Sequence, residues 1–424
     1  MNSNTRKTYS LGELVDIKHG FAFKGEYFSE SPTDDILLSP GNFHIGGGFK
    51  SDKFKYYKGF YPKEYILKEG DIIVTMTDLS VNGDTIGFSA KIPFIKGKRL
   101  LHNQRLGLLL FKNDDVSKDF IYWLLRTKEY QLFIANSATG TTVRHTSPTR
   151  IKEFAFSVPS YSAQQKIAAI LTSLDEKIEN NIQTNQTLEE IARTLFKEWF
   201  VNFNYPNADG SRKHSEFGEI PNDWRIAGIG EVCYVRNGYA FKSKDFKEEG
   251  EVGIIKIKNI NGNVVDVEKT DFVDSNVVQH LDEKFKVESG SLLIAMTGAE
   301  VGKIGLVPLT EKIIWLNQRV GMFKEKFTYG NLFMYLLLSS DTYYTAIQNS
   351  ALGSAQPNIS ASAIESIRAL IPTSDLIEQF GKIVNPMFEK ILDNLAENET
   401  LKNTRDSLLP KLMSGEIDVT ISNI

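Results

Sequence analysis

The sequence is poor in the residues that build disulfide bonds and metal centres. Its 424 residues include one cysteine, Cys233, and six scattered histidines. One cysteine cannot form an internal disulfide, and it suits the reducing cytoplasm, where we expect the protein to reside. A zinc cluster is not expected either, because it needs several cysteine or histidine ligands at short spacing.

Long apolar runs and an excess of basic residues are also missing. No apolar run approaches the roughly 20 residues of a membrane span, and the segment Met1–Arg6 is polar, so we expect no membrane association. Lys and Arg number 49 against 53 Asp and Glu, a net charge of −4. A free-standing DNA-binding protein usually shows a basic balance. A DNA binder of this composition must gather its basic residues on one face or share phosphate contacts with partner subunits.

The sequence does contain a long internal repeat of about 200 residues, which indicates a duplicated domain with its connector. Four blocks recur in the same order, with an offset of 218 residues for the first block and 213 for the last. The matched blocks are Leu11–Lys24 with Ile229–Lys242, Gly70–Thr77 with Gly290–Thr297, Asn103-Gln104-Arg105 with Asn317-Gln318-Arg319, and Asn136–Gly140 with Asn349–Gly353.

Each repeat begins with a strand-rich part. Its short apolar runs are partly β-branched and set off by glycines, as in Asp71–Met76 and Ser291–Met296. One short helix is predicted around Phe120–Leu132, with a counterpart at Leu332–Ile347. The fold class predicted is therefore α+β, with two strand-rich mixed domains.

Each repeat ends with a long helix that carries a heptad pattern. Ser162–Gln165 and Asp375–Glu378 fit capping boxes at the two starts, and Pro206 and Gly415 are predicted to stop the helices. Both seams place two asparagines at matched positions, a pattern typical of a device that fixes register. The first seam is Ile167, Leu171, Leu174, Ile178, Asn181, Asn185, Leu188, Ala192, Leu195, Trp199; the second is Phe380, Val384, Met387, Ile391, Asn394, Asn398, Leu401, Arg405, Leu408, Leu412.

The two seams are predicted to pack against each other as an antiparallel coiled coil, which would give the repeat a pseudo-two-fold arrangement. Centring the seams places Asn181 beside Asn398, Asn185 beside Asn394, Trp199 beside Phe380, Leu195 beside Val384 and Arg405 beside Leu174. The arginine is expected to relieve its apolar position by snorkelling. The alternative is two separate amphipathic helices, each packed on its own domain.

This pattern predicts five segments. They are a first strand-rich domain at 1–158, a first long helix at 159–205, a second strand-rich domain at 206–371, a second long helix at 372–415 and a tail at 416–424.

No catalytic group of residues is evident, which favours a binding protein over an enzyme. Gly298–Lys303 resembles a phosphate-binding loop but is one residue short and lacks the following Ser or Thr, so we interpret it as a turn. Asn385–Phe388 resembles the N-P-P-[YF] loop of amino-methyltransferases. It lacks the second proline and lies within the second seam.

Several polar residues of the strand-rich parts are candidates for contact with phosphates and base edges. Gly140–Arg150 is a loop rich in hydroxyl and basic side chains, while its counterpart Gly353–Ser360 carries amides instead. A solvated loop is the alternative there, and for the Asn-Gln-Arg blocks the alternative is buried amides that tie loops together. The DNA-binding candidates are Lys24, Thr77, Asn103, Gln104, Arg105, Thr141, Thr142, Arg144 and His145 in the first repeat, and Lys242, Lys256, Thr297, Asn317, Gln318, Arg319, Ser354, Gln356 and Asn358 in the second.

Three further stretches resemble those of type I restriction–modification specificity subunits. They are Leu195–Pro206, Phe217–Trp224 and Leu408–Ile417, and the order of domain, helix, domain, helix extends the resemblance over nearly the whole chain. The resemblance implies that the two strand-rich domains are target-recognition domains and the two long helices are spacers. The subunit would be non-catalytic, and each recognition domain would read one half of a bipartite double-stranded DNA target. The helices would set the spacer between the halves and dock the methyltransferase subunits.

The resemblance also implies the partners and cofactors. Two modification (methyltransferase) subunits and, through them, restriction (translocase and nuclease) subunits would bind this chain, in a system of adenine methylation and defence against foreign DNA. S-adenosylmethionine, ATP and Mg²⁺ would be held by those partners, and this chain would bind no cofactor or metal. Two other functions remain open at this point: a coiled-coil scaffold that does not bind DNA, and a fused methyltransferase or nuclease.

Overall fold

The computed structural model describes residues 7–51, 53–78, 85–140, 143–351 and 357–419. The chain divides into two compact units, which are described separately below. Unit 1 comprises Met1–Glu176 and Leu401–Ile424, and unit 2 comprises Lys177–Thr400. Both division points fall inside long helices, so each long helix contributes one part to each unit.

Unit 1 contains a four-stranded antiparallel sheet with the order β2-β11-β7-β9 and a five-stranded sheet with the order β3-β5-β4-β10-β6. Two further pairs, β1 with β13 and β8 with β12, complete its described strands. The strands are β1 Lys7–Ser10, β2 Val15–His19, β3 Phe28–Ser29, β4 Asp35–Leu37, β5 Lys55–Tyr57, β6 Ile66–Leu67, β7 Ile72–Thr75, β8 Thr77–Asp78, β9 Ser89–Lys91, β10 Arg99–Leu101, β11 Leu106–Phe111, β12 Arg144–His145 and β13 Ala155–Val158.

Unit 2 contains a six-stranded sheet with the order β17-β25-β22-β23-β20-β19 and a three-stranded sheet with the order β21-β18-β24. The remaining described strands pair as β14 with β15 and β16 with β26. The strands are β14 Arg212–Ser215, β15 Gly218–Pro221, β16 Arg225–Gly228, β17 Cys233–Asn237, β18 Val252–Ile255, β19 Ile260–Asn261, β20 Val264–Val265, β21 Asp271–Val273, β22 Leu292–Ala295, β23 Ile304–Leu306, β24 Ile313–Leu316, β25 Val320–Glu325 and β26 Arg368–Ile371.

The strand pairing confirms the duplication that the sequence repeat predicts. In unit 1, β11 lies between β2 and β7, and in unit 2 the equivalent β25 lies between β17 and β22. The register also matches, because His19 pairs with Gly107 and Asn237 pairs with Gly321. The two units therefore present equivalent backbone positions, and their side chains can be compared one by one.

The short helices differ from the prediction, since each predicted single helix is two. Ser117 and Thr127 each accept a hydrogen bond from a backbone N–H at a helix start, so the second serine/threonine cap divides the segment. The short helices of unit 1 are α1 Leu11–Leu14, α2 Lys118–Leu124, α3 Lys128–Ser137 and α4 Pro148–Lys152, and those of unit 2 are α6 Ser275–Val278, α7 Gly330–Leu338, α8 Asp341–Ser350 and α9 Ala361–Glu365.

The long helices are α5, Tyr161–Phe200, and α10, Ser374–Ser414. They begin earlier than the predicted capping boxes. Ser160 Oγ accepts from the backbone N–H of Ala163 at 3.4 Å. Thr373 Oγ1 accepts from the N–H of Leu376 at 3.4 Å. The predicted caps lie instead within the first turn of each helix. They fit the capping pattern because serine and aspartate are residue types that cap helices.

The predicted stops are half right. Gly415 directly follows α10 with a left-handed φ of 81°, as a C-terminal glycine should. Pro206 is not the stop of α5, which ends at Phe200. The chain turns instead at Phe203, whose φ is 61°, and the Phe203 ring packs edge-on against Trp224 with centroids 5.2 Å apart. The helix therefore ends before a left-handed turn that precedes the proline, and the Phe203 ring packs that turn against Trp224.

The asparagine pairs of unit 2 confirm the predicted antiparallel register. Asn181 Nδ2 donates to Asn398 Oδ1 at 2.9 Å, and Asn394 Nδ2 donates to Asn185 Oδ1 at 2.8 Å. Asn181, Asn394 and Asn398 are buried. The predicted neighbour of Trp199 is also confirmed, since its ring lies 5.5 Å from that of Phe380.

Arg405, in unit 1, corrects the prediction of a snorkelling arginine. Its guanidinium binds the carboxylate of Asp175 at 2.6 Å, and the same carboxylate binds Arg126. The Arg126 side chain is 3% exposed and also donates to the hydroxyl of Tyr122 at 2.8 Å. The sequence pattern placed Arg405 beside Leu174, one residue away. A charged partner there satisfies the guanidinium without bringing it to solvent.

Each unit has its own apolar core, to which both long helices contribute. In unit 1 the helix residues are Ile167, Ala168 and Leu171 from α5 and Leu409, Leu412 and Met413 from α10. In unit 2 they include Ala192, Phe196, Trp199 and Phe200 from α5 and Phe380, Val384 and Phe388 from α10. Within the described ranges, no helix combines the length and apolar character needed to cross a bilayer.

Candidate nucleic-acid interface

The Asn-Gln-Arg blocks form matching turns in the two units. Asn103 Oδ1 accepts from the backbone N–H of Arg105 at 3.0 Å, and Asn317 Oδ1 accepts from that of Arg319 at 3.4 Å. This bond within the turn leaves the glutamine and arginine side chains exposed in both units. Each asparagine therefore shapes its turn, while the next two residues face outward.

A glycine in each unit lets a strand end approach this turn. A Cβ atom on Gly20 would lie 2.1 Å from the carbonyl oxygen of Asn103, and one on Gly238 would lie 2.3 Å from that of Asn317. Any side chain at these positions would displace the turn. The residue before each glycine therefore lies at the strand end beside the turn. It is His19 in unit 1 and Asn237 in unit 2.

A third segment joins the turn through backbone hydrogen bonds in unit 1. The N–H of Met76 donates to Arg105 O at 2.9 Å, and Met76 O accepts from the N–H of Thr146 at 3.0 Å. Three separate parts of the chain therefore meet side by side: the turn, the Met76-Thr77 segment and the loop after α3.

Unit 2 repeats these bonds. The N–H of Met296 donates to Arg319 O at 3.1 Å, and Met296 O accepts from the N–H of Ile359 at 3.0 Å. The sequence repeat therefore preserves a backbone frame at this surface, although the loops differ.

In unit 2 this frame encloses a mostly polar groove of about 520 Å³, which we call the unit 2 groove. It brings together four of the predicted binding residues, Thr297, Gln318, Arg319 and Asn358. Thr297 and Asn358 form an antiparallel bridge across its wall. The full lining is Asn237, Met296, Thr297, Gln318, Arg319, Pro357, Asn358, Ile359 and Ser360.

Unit 1 has the same bridge, between Thr77 and His145, with Arg144 opposite Asp78. Thr77 Oγ1 lies 3.2 Å from His145 Nδ1. We call the surface formed by Thr77, Gln104, Arg105, Arg144 and His145 the unit 1 face. A smaller hollow beside it, of about 180 Å³, is lined by Phe23, Phe28, Leu37, Ser39, Lys55, Asn103, Gln104 and Arg105.

A buried histidine supports the unit 1 turn from below. His102 donates from Nε2 to the carbonyl oxygen of Leu106 at 2.9 Å, and burial lowers the pKa of His102 to about 4. The ring is therefore neutral near pH 7 and packs as part of the scaffold. The equivalent residue of unit 2 is Leu316. The backbone carbonyl oxygens of His102 and Leu316 both accept a hydrogen bond from the loop that follows the strand end.

The other predicted residues lie elsewhere or are engaged. Lys24 and Lys242 are exposed, each preceding a short 3-10 turn, and Lys24 Nζ is 3.9 Å from the Glu26 carboxylate. Lys256 binds Asp271 at 2.6 Å and lies 3.3 Å from the centroid of the Phe246 ring.

Lys256 and its neighbour Lys258 serve the same acidic partner. Although burial raises it, hydrogen bonds from Lys256 and Lys258 hold the pKa of Asp271 below its ordinary value. Lys256 is thus part of a local ion-pair cluster. The predictions for Thr141, Thr142, Ser354 and Gln356 fall on positions outside the described residues.

Sequence reasoning missed Asn237, and it named the loop that ends at Ser360 without singling out Ser360; both residues line the unit 2 groove. Ser360 also caps α9, because its Oγ accepts from the N–H of Ala363 at 3.1 Å. Asn237 could have been found from the repeat, since it occupies the column of His19 within an otherwise similar block. Exposed positions that differ between matched blocks are therefore candidates as well as those that are identical.

Comparisons with known proteins agree with this architecture. The family model described as the type I restriction modification DNA specificity domain matches residues 4–190 and 221–404, well over half of the chain. The MjaIX specificity subunit of Methanocaldococcus jannaschii is 28% identical over 315 residues, covering 73% of this chain and 71% of the relative. The HindI specificity subunit of Haemophilus influenzae is 28% identical over 364 residues, covering 71% of this chain and 78% of the relative.

A solved structure shows the same fold. The type I restriction–modification S subunit from M. genitalium superposes with a TM-score of 0.60 at 17% identity, covering 97% of each chain. The family model matches twice, once for each repeat of a strand-rich unit and a long helix. This chain is therefore a member of the family of type I restriction–modification DNA specificity subunits.

Proposed function

We propose that each unit of this specificity subunit reads one half of a bipartite double-stranded DNA target, through the unit 1 face and the unit 2 groove. The subunit recognises a DNA sequence and is not itself the catalyst. The observation that carries the proposal is the shared backbone frame, which holds polar side chains outward at equivalent positions in both units. Glutamine, arginine, asparagine and threonine are the side chains that hydrogen-bond base edges and phosphates.

The remaining functions fall to partner subunits. We propose two methyltransferase subunits docked along the helices, with restriction subunits joined through them, and S-adenosylmethionine, ATP and Mg²⁺ held by these partners. The net charge of −4 supports this division, because a chain without a basic excess gains from phosphate contacts that its partners supply. The long helices are then the elements that set the length of the unread spacer.

Exchange of one recognition segment tests the modular assignment. Residues 11–158 are replaced by the equivalent segment of another family member with a different target. The expected result is a new sequence in one half of the methylated motif, with the other half and the spacer unchanged. The measurement is methylome sequencing of the host carrying the exchanged gene. A change in both halves, or in neither, contradicts independent reading by the two units.

Arg319 should contribute binding energy from within the unit 2 groove. Arg319→Ala is expected to weaken DNA binding by the purified complex and, if the guanidinium contacts phosphate, to reduce the salt dependence by about one unit of slope. Arg225→Ala is the matched control, since Arg225 is an exposed arginine of the same unit, paired with Glu231 outside the groove. Equal affinities of the two variants across a salt titration would remove the groove from the DNA interface.

A further inference from the structure

The common backbone frame allows the side chains of the two surfaces to be compared position by position. Two outward-facing positions are identical: glutamine at 104 and 318, and arginine at 105 and 319. Threonine at 77 and 297 also matches, but Thr77 is buried and so is the Thr297 hydroxyl. Two positions differ by the same exchange. His19 corresponds to Asn237 at the strand end, and His145 corresponds to Asn358 at the bridge to threonine.

Identical side chains on equivalent backbone offer DNA the same donors and acceptors in both units. By themselves they cannot make one unit prefer a different sequence from the other, so they suit what both half-sites share, the phosphate backbone first of all. The difference between the half-sites must then arise where the side chains differ. Asn237 and Asn358 both line the unit 2 groove, so both positions lie on the proposed reading surface.

We propose that the histidine/asparagine positions, 19 with 237 and 145 with 358, discriminate between the two half-sites. This inference rests on the proposed function and assigns specificity to residues within it. Two further differences along the groove lining, Arg144 against Pro357 and Thr146 against Ile359, are left unchanged in the test. The first also alters the backbone, and the second lies at a position where Ile359 is buried.

The chemistry of the two side chains gives the direction of the preference. An asparagine amide presents a donor and an acceptor together, which complements the N7 and N6 groups of adenine. A neutral imidazole offers one donor and one acceptor on opposite sides of its ring. In unit 1 the Nδ1 of His145 is engaged by Thr77 Oγ1 at 3.2 Å. When that hydroxyl donates, Nε2 carries the proton and faces outward as a donor, which fits the acceptor edge of guanine.

The equivalent site of unit 2 lacks this internal bond. The Thr297 hydroxyl is buried and has no hydrogen-bond partner among the residues that the structure describes. Asn358 bridges to Thr297 through the backbone only, so its amide is not held by the threonine in the way that the His145 ring is. The two units therefore differ at this position in both the reading group and its support.

Reciprocal substitutions test the proposal. The full-length tagged chain is isolated from its host with its bound partners, and the complex selects from a random-sequence double-stranded DNA library. His19→Asn with His145→Asn is expected to change one half of the selected motif, with adenine gaining about tenfold or more at one or two positions. Asn237→His with Asn358→His should change the other half only. His44→Asn, the same exchange in a hairpin of unit 1, is the control and should leave the motif unchanged.

The outcomes separate this inference from the function beneath it. A wild-type complex that selects no motif overturns both. The inference alone is overturned if the wild type selects a bipartite motif and both double variants retain it. It is also overturned if both double variants change the same half, or if they lose affinity equally for all sequences. Thermal unfolding and recovery of partners check that the variants fold. If the unit 1 variant does not fold, the unit 2 variant decides the matter by itself.

Discussion

Replacement of Asp175 by alanine is expected to destabilise unit 1 by about 3 kcal/mol, a large effect for one surface-near carboxylate. Asp175 is the shared partner of two arginines, and its side chain is 26% exposed. The side chains of Arg126 and Arg405 are only 3% and 15% exposed. Removal of the carboxylate leaves two guanidinium groups close together, largely out of water, with no opposite charge between them.

The position of Arg126 makes the cost hard to avoid. Its guanidinium lies 4.3 Å from the centroid of the Trp123 ring and donates to the carbonyl oxygen of Gly46 at 2.9 Å. Its stem also fills the space beside Gly47, where an added Cβ would lie 2.8 Å from Arg126 Cγ. A guanidinium held on three sides in this way cannot swing to solvent without breaking those contacts.

Asp406→Ala is the matched control, because Asp406 also binds Arg405 but its side chain is 63% exposed. Exposed ion pairs contribute about 0–1 kcal/mol, so this variant should lie close to wild type. Denaturant unfolding, with hydrogen exchange followed in peptides from Lys118–Leu124, reports on unit 1. Equal stabilities of the two variants would show that the Asp175 charge is replaced by water or by another carboxylate.

The heptad helices were the most predictable part of this molecule. Their seam is a local pattern, and the matched asparagines alone predict the antiparallel pairing of Asn181 with Asn398 that the structure shows. The role of Asp175 could not be predicted in the same way. Asp175 lies outside the seam, and its ion-pair partner Arg126 is distant in sequence. The cap of each helix was misplaced by two residues, since Ser160 and Thr373 compete with equally suitable polar neighbours.

The candidate site was partly predictable for a related reason. Repetition identified Gln318 and Arg319 as matched outward candidates, because conservation within one chain singles out positions without any alignment. It could not show that Asn317 Oδ1 accepts a hydrogen bond within its own turn, or that Lys256 forms an ion pair with Asp271. Both depend on the folded geometry. It also passed over Asn237, whose interest lies in its difference from His19. A search for matched residues overlooks positions of that kind.

The second large effect concerns Asn185 and Asn394 in unit 2, where single and double replacement should have opposite consequences. Asn394 is fully buried, donates to Asn185 Oδ1 at 2.8 Å, and has an Oδ1 atom without a partner among the described residues. Asn185→Leu removes the acceptor and leaves the whole buried amide unsatisfied. The expected loss is about 1–3 kcal/mol in the free energy of unfolding of unit 2.

The double variant Asn185→Leu with Asn394→Leu removes both amides together. Two leucines at seam positions pack as apolar neighbours, and the orphan Oδ1 disappears, so stability should return to the wild-type value or exceed it. The wild-type amide pair would then be a device that specifies register at a cost in stability, because no other pairing satisfies the buried amide. That role would suit the proposed task of the helix pair, which is to set the length of the unread spacer.

A double-mutant cycle measures this directly, with wild type, both single variants and the double variant unfolded in urea. Hydrogen exchange in peptides from the middle of α10 assigns the transition to unit 2. The expected coupling between the two sites is about 1–3 kcal/mol, with the double variant more stable than either single one. The matched pair Asn181 and Asn398 should show weaker recovery, because Asn181 Nδ2 also donates to the Glu397 carboxylate at 2.8 Å. That charge-assisted bond is stronger than the 3.4 Å bond from Asn185 Nδ2 to the carbonyl oxygen of Ile391, and leucine abolishes it. Additive losses at Asn185 and Asn394 would mean that the two amides are independently solvated and do not specify the register.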